Sequence, residues 1–235
     1  MCASREVNDH YAITLPESHR RFWHHVKEME INPHDVLVVV DVQNDFCPGG
    51  TLAVPHGDRV IEPIHRAAPK FRHIVLTQDW HPKGHLSFAA RHPGRTAFES
   101  IETVHGPQIL WPEHCVQGTS GAEFHPLLRL PQAELILRKG HGIDMDSYSA
   151  FFENDHATPT GLGGYLRERG LTRVFLAGLA YDFCVAYSAL DARRLGVPAV
   201  VIREACQAID IDGSVAKMEE RFRQAGVTVV DRLGD

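Results

Sequence analysis

Residues 173–196 constrain the fold of this chain more than any other stretch. They begin with an apolar run, VFLA at 174–177, that is short enough for a buried strand. A tight GLAYDFC segment follows, and then apolar residues recur with helical spacing from about Asp182 to Gly196. The stretch therefore predicts a strand that passes directly into a helix, with Cys184 in the first turn of that helix.

Cys184 occupies a position that suits a nucleophile. The first backbone N–H groups of a helix have no partner within the helix and carry partial positive charge. Such a position favours a thiolate and could hold an oxyanion. A buried structural cysteine is the alternative, because free cysteine usually behaves as a small apolar residue.

The rest of the chain repeats this alternation of strands and helices. The predicted strands lie at about 35–42, 73–77, 133–138, 173–178, 197–203 and 227–230, and the predicted helices at 57–71, 160–170, 182–196 and 212–226. The alternation predicts a three-layer, doubly wound α/β fold with a central parallel sheet of about six strands. No G-x-G-x-x-G follows the first strand, so a dinucleotide site is not indicated. The region 79–131 has little periodicity, and a loop region of that length is usually functional.

Two segments are expected along the 235 residues. Residues 35–235 are predicted to form one domain, since a chain of this length can bury a sizeable core. Residues 1–34 carry no chemical motif and contain one predicted helix at about 16–29. We expect them to form an N-terminal extension packed on the main domain.

Composition excludes several classes of function. The 24 basic and 30 acidic residues give a formal charge of −6, and basic residues do not cluster, so nucleic-acid binding is not indicated. The five scattered cysteines, without C-x-x-C spacing, fit a reducing compartment. No apolar run approaches the roughly 20 residues that a membrane span needs, and the N-terminus is too polar for a signal peptide. We therefore expect a soluble protein of the cytoplasm or another intracellular space, with no membrane partner.

Reactive residues follow several of the predicted strands. In a parallel sheet the carboxyl ends of the strands meet at one edge, where ligands bind. Asp41, Lys139 and Cys184 are expected at that edge. Asp41 suits a general base, Cys184 suits a nucleophile, and Lys139 suits a cation that adjusts the proton affinity of both. Two alternatives stay open here: Asp41 could cap a neighbouring loop, and Lys139 could be a solvated strand end.

Asp79 and His81 follow the second predicted strand as a D-x-H pair. Residues i and i+2 of an extended chain point to the same face, so both side chains can reach one ion. His85 and His114 lie farther along the same region. A carboxylate with imidazoles and open positions suits a divalent metal such as zinc, iron or manganese. The pattern alone is weak evidence, because the chain has 16 histidines.

Six motifs occur in order between about residues 35 and 230. They are VVVDVQNDFCPGGTLAV, LTQDWHPKGHLSF, ILWPEHCVQGT, LRKGHGIDMDSYSAF, TGLGGYLRERG and VFLAGLAYDFCVAYSALDA. Together they resemble the nicotinamidases of the isochorismatase-like cysteine hydrolase superfamily. The resemblance implies an isochorismatase-like fold and the hydrolysis of nicotinamide to nicotinate and ammonia through a cysteine thioester, in NAD salvage.

The resemblance also implies a role for each candidate residue and for one divalent metal, with zinc preferred and iron or manganese as alternatives. His85 ligates the metal in only some relatives, so it is left outside the ligand set. A cis peptide bond between Leu179 and Ala180 is implied as well. The implied roles are catalysis by Asp41, Lys139 and Cys184, an oxyanion hole from the amides of Ala180 and Cys184, metal ligation by Asp79, His81 and His114, and a ring sandwich by Phe46, Trp111 and Tyr148.

The chain departs from the family pattern in two places. Tyr181 stands where relatives usually carry threonine, which could alter the pocket or a contact behind the nucleophile. The extension at 1–34 has no counterpart in shorter relatives and could serve assembly, and we expect a homo-oligomer. Two other functions were weighed: an amidohydrolase of the same fold that acts on another carboxamide, and a catalytically inactive binding or scaffold protein.

Overall fold

A parallel sheet runs through the centre of the protein. The computed structural model describes residues 29–234, and the sheet with its helices lies within residues 31–233. The described strands are β1 Asp35–Val40, β2 His73–Asp79, β3 Ser100–Thr103, β4 Gly106–Ile109, β5 Leu135–Lys139, β6 Arg173–Leu179, β7 Ala199–Gln207 and β8 Thr228–Val230. Six of them form the central sheet in the order β5-β2-β1-β6-β7-β8, with every neighbouring pair parallel. The predicted sheet of about six parallel strands is confirmed.

The two central strands, β1 and β6, determine where the site forms. All six residues of β1, DVLVVV, are buried, as expected for a strand covered on both faces. Gly178 of β6 pairs with Val40 and has φ +117°, and a Cβ there would lie 2.1 Å from the Val40 carbonyl oxygen. Only glycine permits this approach. The strand order reverses between β1 and β6, which is the switch point where doubly wound sheets bind ligands.

The helices lie close to the predicted positions. They are α1 Ile61–Ala67, α2 Leu162–Arg169, α3 Cys184–Arg194 and α4 Ser214–Ala225. The helix predicted at 57–71 is shorter, because 3₁₀ turns flank α1 and Pro69 lacks the amide that would continue it. The helix predicted from Asp182 begins at Cys184, because residues 180–183 form the turn that leaves β6. Leu195, which the predicted helix at 182–196 includes, lies beyond the end of α3 and is exposed.

The long region after β2 contains a small feature that the sequence did not predict. β3 and β4 form an antiparallel hairpin separate from the central sheet. Its strands are short and largely exposed, and Pro107 interrupts their pattern, so no alternation marks them. The helix predicted at 16–29 and most of the extension at 1–34 fall outside the described residues, so the division into two segments stays a prediction. Among the described helices, none is long and apolar enough to cross a membrane.

Candidate active site

Lys139 lies at the centre of the group of side chains that follow the strands. Its side chain is fully buried at the end of β5. The ammonium Nζ lies 2.9 Å from Asp41 Oδ2 and 3.4 Å from Cys184 Sγ, and it also donates to Asp79 Oδ1. A further hydrogen bond of 2.9 Å reaches the carbonyl of Ser147. The ammonium therefore holds the carboxylates and the thiol together, and Lys139 is not a solvated strand end.

Asp41 directs one carboxylate oxygen toward the reacting groups. Its backbone has φ 49°, an uncommon conformation outside glycine, at the point where the chain leaves β1. Oδ1 accepts a 2.6 Å hydrogen bond from the Thr77 hydroxyl. Oδ2 forms the ion pair with the Lys139 ammonium. Oxygens of Asp41 and Asp79 and the sulfur of Cys184 all lie within 4.8 Å of one another. Oδ2 is thus the acceptor available for a proton from the thiol.

Burial and charge determine the protonation states of this group. Burial opposes the charge on Lys139, but Asp41 and Asp79 outweigh it, so the pKa of Lys139 is raised well above its usual value. Burial raises the pKa of Cys184 well above that of an ordinary thiol; Lys139 opposes this rise, and Asp41 and Asp79 add to it. Burial also raises the pKa of Asp41, against the effect of Lys139. These shifts favour a neutral Cys184 thiol in the free protein, whereas the start of α3 favours a thiolate.

The turn between β6 and α3 presents two unused amides. The Leu179–Ala180 peptide bond is cis. The Ala180 carbonyl accepts from the amides of Phe183 and Val185, and the Tyr181 amide donates to Gln207. The amides of Ala180 and Cys184, by contrast, donate to no acceptor among residues 29–234. Two free N–H groups beside the sulfur are the arrangement that an oxyanion requires.

A second cluster adjoins the first and has the chemistry of a metal site. Asp79 Oδ2 lies 3.5 Å from His81 Nε2 and 3.8 Å from His114 Nε2, and all three side chains are buried. The Nδ1 atoms hydrogen-bond to the carbonyls of Gly140 and Pro112, at 2.9 and 2.8 Å, which leaves each Nε2 directed at Asp79. Ligands about 2.0–2.1 Å from a tetrahedral ion are separated by about 3.4 Å. One oxygen and two oriented imidazoles therefore fit a divalent metal, and the outer hydrogen bonds are those that metal-binding histidines usually have.

Two neighbours fix the ring of His81. Gly140 has φ +62°, and a Cβ at this position would lie 2.5 Å from the His81 ring, so the ring packs directly on backbone. The ring of His85 also stacks on the His81 ring, with the centroids 4.2 Å apart. Both ring nitrogens of His85 are already engaged, with Ser87 Oγ at 2.8 Å and the Met145 carbonyl at 3.0 Å. Burial and His81 lower the pKa of His85 to about 4, so His85 is a neutral support for His81 rather than a free ligand.

Aromatic side chains form the walls of the pocket above Cys184. Phe46, Trp111 and Tyr148 all line it, as do Asp79, His81, His114 and Ala180. Phe183 is an additional wall that the sequence did not single out, and its ring meets Trp111 edge-on at 5.1 Å and Tyr148 at 5.7 Å. The position of Phe183 directly before Cys184 was the sequence feature that could have indicated a pocket residue. Leu52, Asp146 and Ile209 also line the pocket, and no sequence pattern marked them.

Hydrogen bonds, one of them from the hairpin, hold the Trp111 and Tyr148 walls in place. Trp111 Nε1 donates to the Tyr148 hydroxyl at 3.1 Å. Gln108 of β4 donates to the same hydroxyl at 3.1 Å and to Asp146 at 2.8 Å, and its own carbonyl accepts from Asn154 at 3.3 Å. Gln108 is itself buried. The unpredicted hairpin therefore supports the aromatic pocket.

Tyr181, the departure from the family pattern, does not line the pocket. Its ring is fully buried, with Phe222 of α4 edge-on at 5.8 Å and the Arg203 guanidinium 4.4 Å above it. The substitution thus changes the packing behind the nucleophile and leaves the walls of the pocket unaltered.

Several known proteins are similar to this chain in sequence and in fold. The Isochorismatase domain family matches residues 35–232. A nicotinamidase of Acinetobacter baylyi is 52% identical over 191 residues, which cover 81% of this chain and 89% of that protein. A solved nicotinamidase and pyrazinamidase of Acinetobacter baumanii has a TM-score of 0.84 and 53% identity, covering 85% of this chain and 96% of that one.

Two further similar solved structures are complexes with a ligand. The L. infantum protein in complex with nicotinate has a TM-score of 0.73 and 39% identity, covering 83% of this chain and 91% of its own. A pyrazinamidase of Pyrococcus horikoshii in complex with zinc has a TM-score of 0.68 and 35% identity, covering 84% and 99%. This chain therefore belongs to the isochorismatase domain family, in the branch that contains these nicotinamidases and pyrazinamidases.

Proposed function

We propose that this protein is a nicotinamidase, which hydrolyses nicotinamide to nicotinate and ammonia and thereby serves NAD salvage. One observation carries the proposal. A thiol, a carboxylate and a buried ammonium meet below a pocket with aromatic walls, beside a cluster of one carboxylate and two histidines. The similarity to proteins named as nicotinamidases, including one solved with nicotinate, supports the same substrate.

Acylation begins with Cys184. Asp41 Oδ2 accepts the thiol proton while the sulfur forms a bond to the carboxamide carbon. The raised pKa of Asp41 brings the carboxyl closer to the thiol in proton affinity, which favours this transfer. The carbonyl oxygen becomes an oxyanion that accepts hydrogen bonds from the amides of Ala180 and Cys184. When the oxyanion collapses, the C–N bond breaks, and Asp41 returns its proton to the leaving nitrogen to give ammonia and a thioester.

Deacylation uses the same groups in the opposite direction. Asp41 takes a proton from water as the water oxygen attacks the thioester carbon, and the same two amides hold the second oxyanion. The C–S bond then breaks, and the departing sulfur of Cys184 regains a proton from Asp41. Lys139 stays an ammonium throughout. It stabilises the negative charge on Asp41 or on the sulfur of Cys184, whichever of the two is ionised at that step. The product is nicotinate.

Asp79, His81 and His114 would hold one divalent metal. When bound, the metal supplies a Lewis acid with open positions beside the nucleophile. The protein's own contribution is to orient the ligands, through the carbonyls of Gly140 and Pro112 and the stacked ring of His85. Zinc is the metal we propose, supported by the donor set and by the zinc complex of the P. horikoshii relative.

The pocket selects a flat ring. Phe46, Trp111, Tyr148 and Phe183 present apolar faces and edges around a space that suits one aromatic ring. A small aliphatic amide would form no ring contacts with these aromatic walls, so we expect it to bind weakly.

Ammonia release from nicotinamide by the purified protein, with and without a chelator, tests the proposal. We expect turnover that the chelator abolishes and added zinc restores. Turnover of another carboxamide but not nicotinamide would favour the alternative amidohydrolase, and no turnover of any amide in metal-loaded protein would favour an inactive binding protein. We also propose a homo-oligomer in the cytoplasm, and size-exclusion chromatography with light scattering measures the oligomeric state.

A further inference from the structure

The turn that carries Cys184 is tied to a second loop, which follows β7 and precedes α4. Asp182 lies two residues before the nucleophile, and its carboxylate is fully buried. Oδ1 accepts from the amide of Ile209 at 3.0 Å, and Oδ2 accepts from the amide of Asp210 at 2.8 Å and the hydroxyl of Ser214 at 2.5 Å. One buried carboxylate thus holds two amides of this loop and the hydroxyl at the start of α4, all more than 25 residues away in sequence.

The loop that Asp182 holds is poorly suited to keep its shape alone. Asp210 and Asp212 have φ values of 57° and 51°, and Gly213 has 72°, so three of its residues occupy the left-handed region. Aspartate tolerates this region better than most residues, yet such positions persist only where the surroundings hold them. Asp182 supplies that restraint, because it satisfies two consecutive backbone amides of the loop.

Ile209 is the residue through which this restraint reaches the pocket. Its side chain lines the same cavity as Cys184 and the aromatic walls, and it is half-buried. Its amide is one of the groups that Asp182 holds. Displacing the loop would therefore move an apolar wall relative to the sulfur without touching the reacting groups.

We propose that Ile209 determines which ring substituents the pocket accepts and that Asp182 is the positioning residue that sets Ile209 against the nucleophile. The inference rests on the proposed amidase function and adds a specificity wall to it. Removing methyl or methylene groups from an apolar pocket changes discrimination by about tenfold or more. The relevant readout is therefore the ratio of kcat/KM values for two substrates, rather than the rate for one.

The test compares nicotinamide with nicotinamides methylated at each ring carbon in turn. Ile209→Ala should raise the kcat/KM of at least one methylated amide about tenfold relative to nicotinamide. Asp182→Asn keeps the size of the side chain but replaces one acceptor by a donor, so it should favour the same analogue. Because Asp182 acts through Ile209, the double variant should shift the ratio no further than Ile209→Ala alone.

Two variants serve as controls. Asp212→Asn makes the same chemical change at an exposed position of the same loop and should leave the ratio unaltered. Ser214→Ala removes one of the three hydrogen bonds and should shift the ratio in the same direction by less, which keeps the test usable if Asp182→Asn fails to fold. Alkylation of Cys184 by iodoacetamide should stay within about threefold of the parent rate in Ile209→Ala.

Four outcomes would overturn part or all of this proposal. An unchanged ratio in Ile209→Ala overturns the specificity wall. A shift in Ile209→Ala with none in Asp182→Asn or Ser214→Ala overturns the positioning role, as does an equal loss on all substrates in Asp182→Asn. A parent protein that hydrolyses no nicotinamide at all refutes the proposed function instead, so the two failures are distinguishable.

Discussion

The ends of sheet strands form one half of the pocket, and loops form the other half, chiefly the long region between β2 and β5 and the segment after β5 that contains Tyr148. Asp41 directly follows the buried strand β1, Lys139 ends the edge strand β5, and Cys184 opens the helix that follows β6. Trp111 and His114, by contrast, lie in a region whose regular structure consists of one short hairpin and two 3₁₀ turns. We call these the strand-end half and the loop half.

The two halves are stabilised by different interactions. In the strand-end half a buried ammonium neutralises two carboxylates, so each member depends on the charge of the others. In the loop half, neutral hydrogen bonds and ring contacts hold the aromatic residues and histidines, as between Trp111 and Tyr148. Removing one member of a buried ion pair costs about 3–5 kcal/mol, whereas losing a neutral hydrogen bond costs about 1–3 kcal/mol. Variants of the strand-end half should therefore be more damaging.

The largest effect is expected at the nucleophile. Cys184→Ala should abolish thioester formation and reduce turnover at least about a thousandfold, since no other group in the pocket can form the covalent bond. Cys47→Ala, at another buried cysteine, should keep near-normal activity. Ammonia release measures both, and near-normal turnover by Cys184→Ala would show that the nucleophile lies elsewhere.

Asp41→Asn should separate turnover from thiol reactivity. Turnover should fall about a thousandfold, because the group that moves protons to and from the substrate is gone. The thiol, however, should alkylate at least as fast as in the parent, because Asp41 raises the pKa of Cys184 and its negative charge is removed. Iodoacetamide kinetics measure this, and alkylation slowed in proportion to turnover would contradict the assignment of Asp41 as the substrate's proton carrier.

Lys139→Met should change the alkylation rate of Cys184 in the opposite direction from Asp41→Asn. Lys139 lowers the pKa of Cys184, so its loss should slow alkylation as well as turnover. Asp41 and Asp79 would be left buried without their cation, and the free energy of unfolding should fall by about 3–5 kcal/mol. Denaturant unfolding measures the loss. A stable Lys139→Met protein with parental alkylation would contradict the central role of this ammonium.

His114→Ala tests the independence of the loop half. The variant should lose stoichiometric metal and about a hundredfold of its nicotinamide turnover, while the sheet stays folded. Cys184 should still alkylate, because its contacts with Asp41 and Lys139 do not involve His114. Elemental analysis, circular dichroism and alkylation measure these. The control is His105→Ala, at an exposed position of the hairpin, and undiminished metal in His114→Ala would exclude it as a ligand.

The same division explains what could be predicted from the sequence. Asp41, Lys139 and Cys184 follow regular apolar runs, and parallel strands necessarily bring their carboxyl ends to one edge. Periodicity alone therefore placed them near one another. The protonation state of Cys184 was not predictable, because it depends on two carboxylates and burial that appear only in three dimensions.

The loop half could be assigned only by resemblance to known relatives. No periodic pattern connects Trp111 or His114 to the sheet, and their positions depend on contacts between distant segments. Gln108 and Ile209 had no sequence signal at all, since a glutamine in a weak hairpin and an isoleucine in a turn are unremarkable in isolation. Long-range hydrogen bonds, such as that between Gln108 and Asp146, determine their roles.

The smallest effect is expected at Gln108, which supports the loop half without touching the reacting groups. Leucine is similar in size to glutamine, but Gln108→Leu removes the hydrogen-bond donors to the Tyr148 hydroxyl and to Asp146. The side chains of Tyr148 and Asp146 should then be held less firmly in the pocket wall. We expect KM for nicotinamide to rise about tenfold with kcat within about threefold, because the strand-end half is intact, and stability to fall by about 1–3 kcal/mol. Steady-state kinetics and denaturant unfolding measure the two effects, with Gln224→Leu on the exposed face of α4 as the control. A fall in kcat without a change in KM would mean that the two halves of the pocket are coupled, so that Gln108 acts on the reacting groups through the aromatic walls.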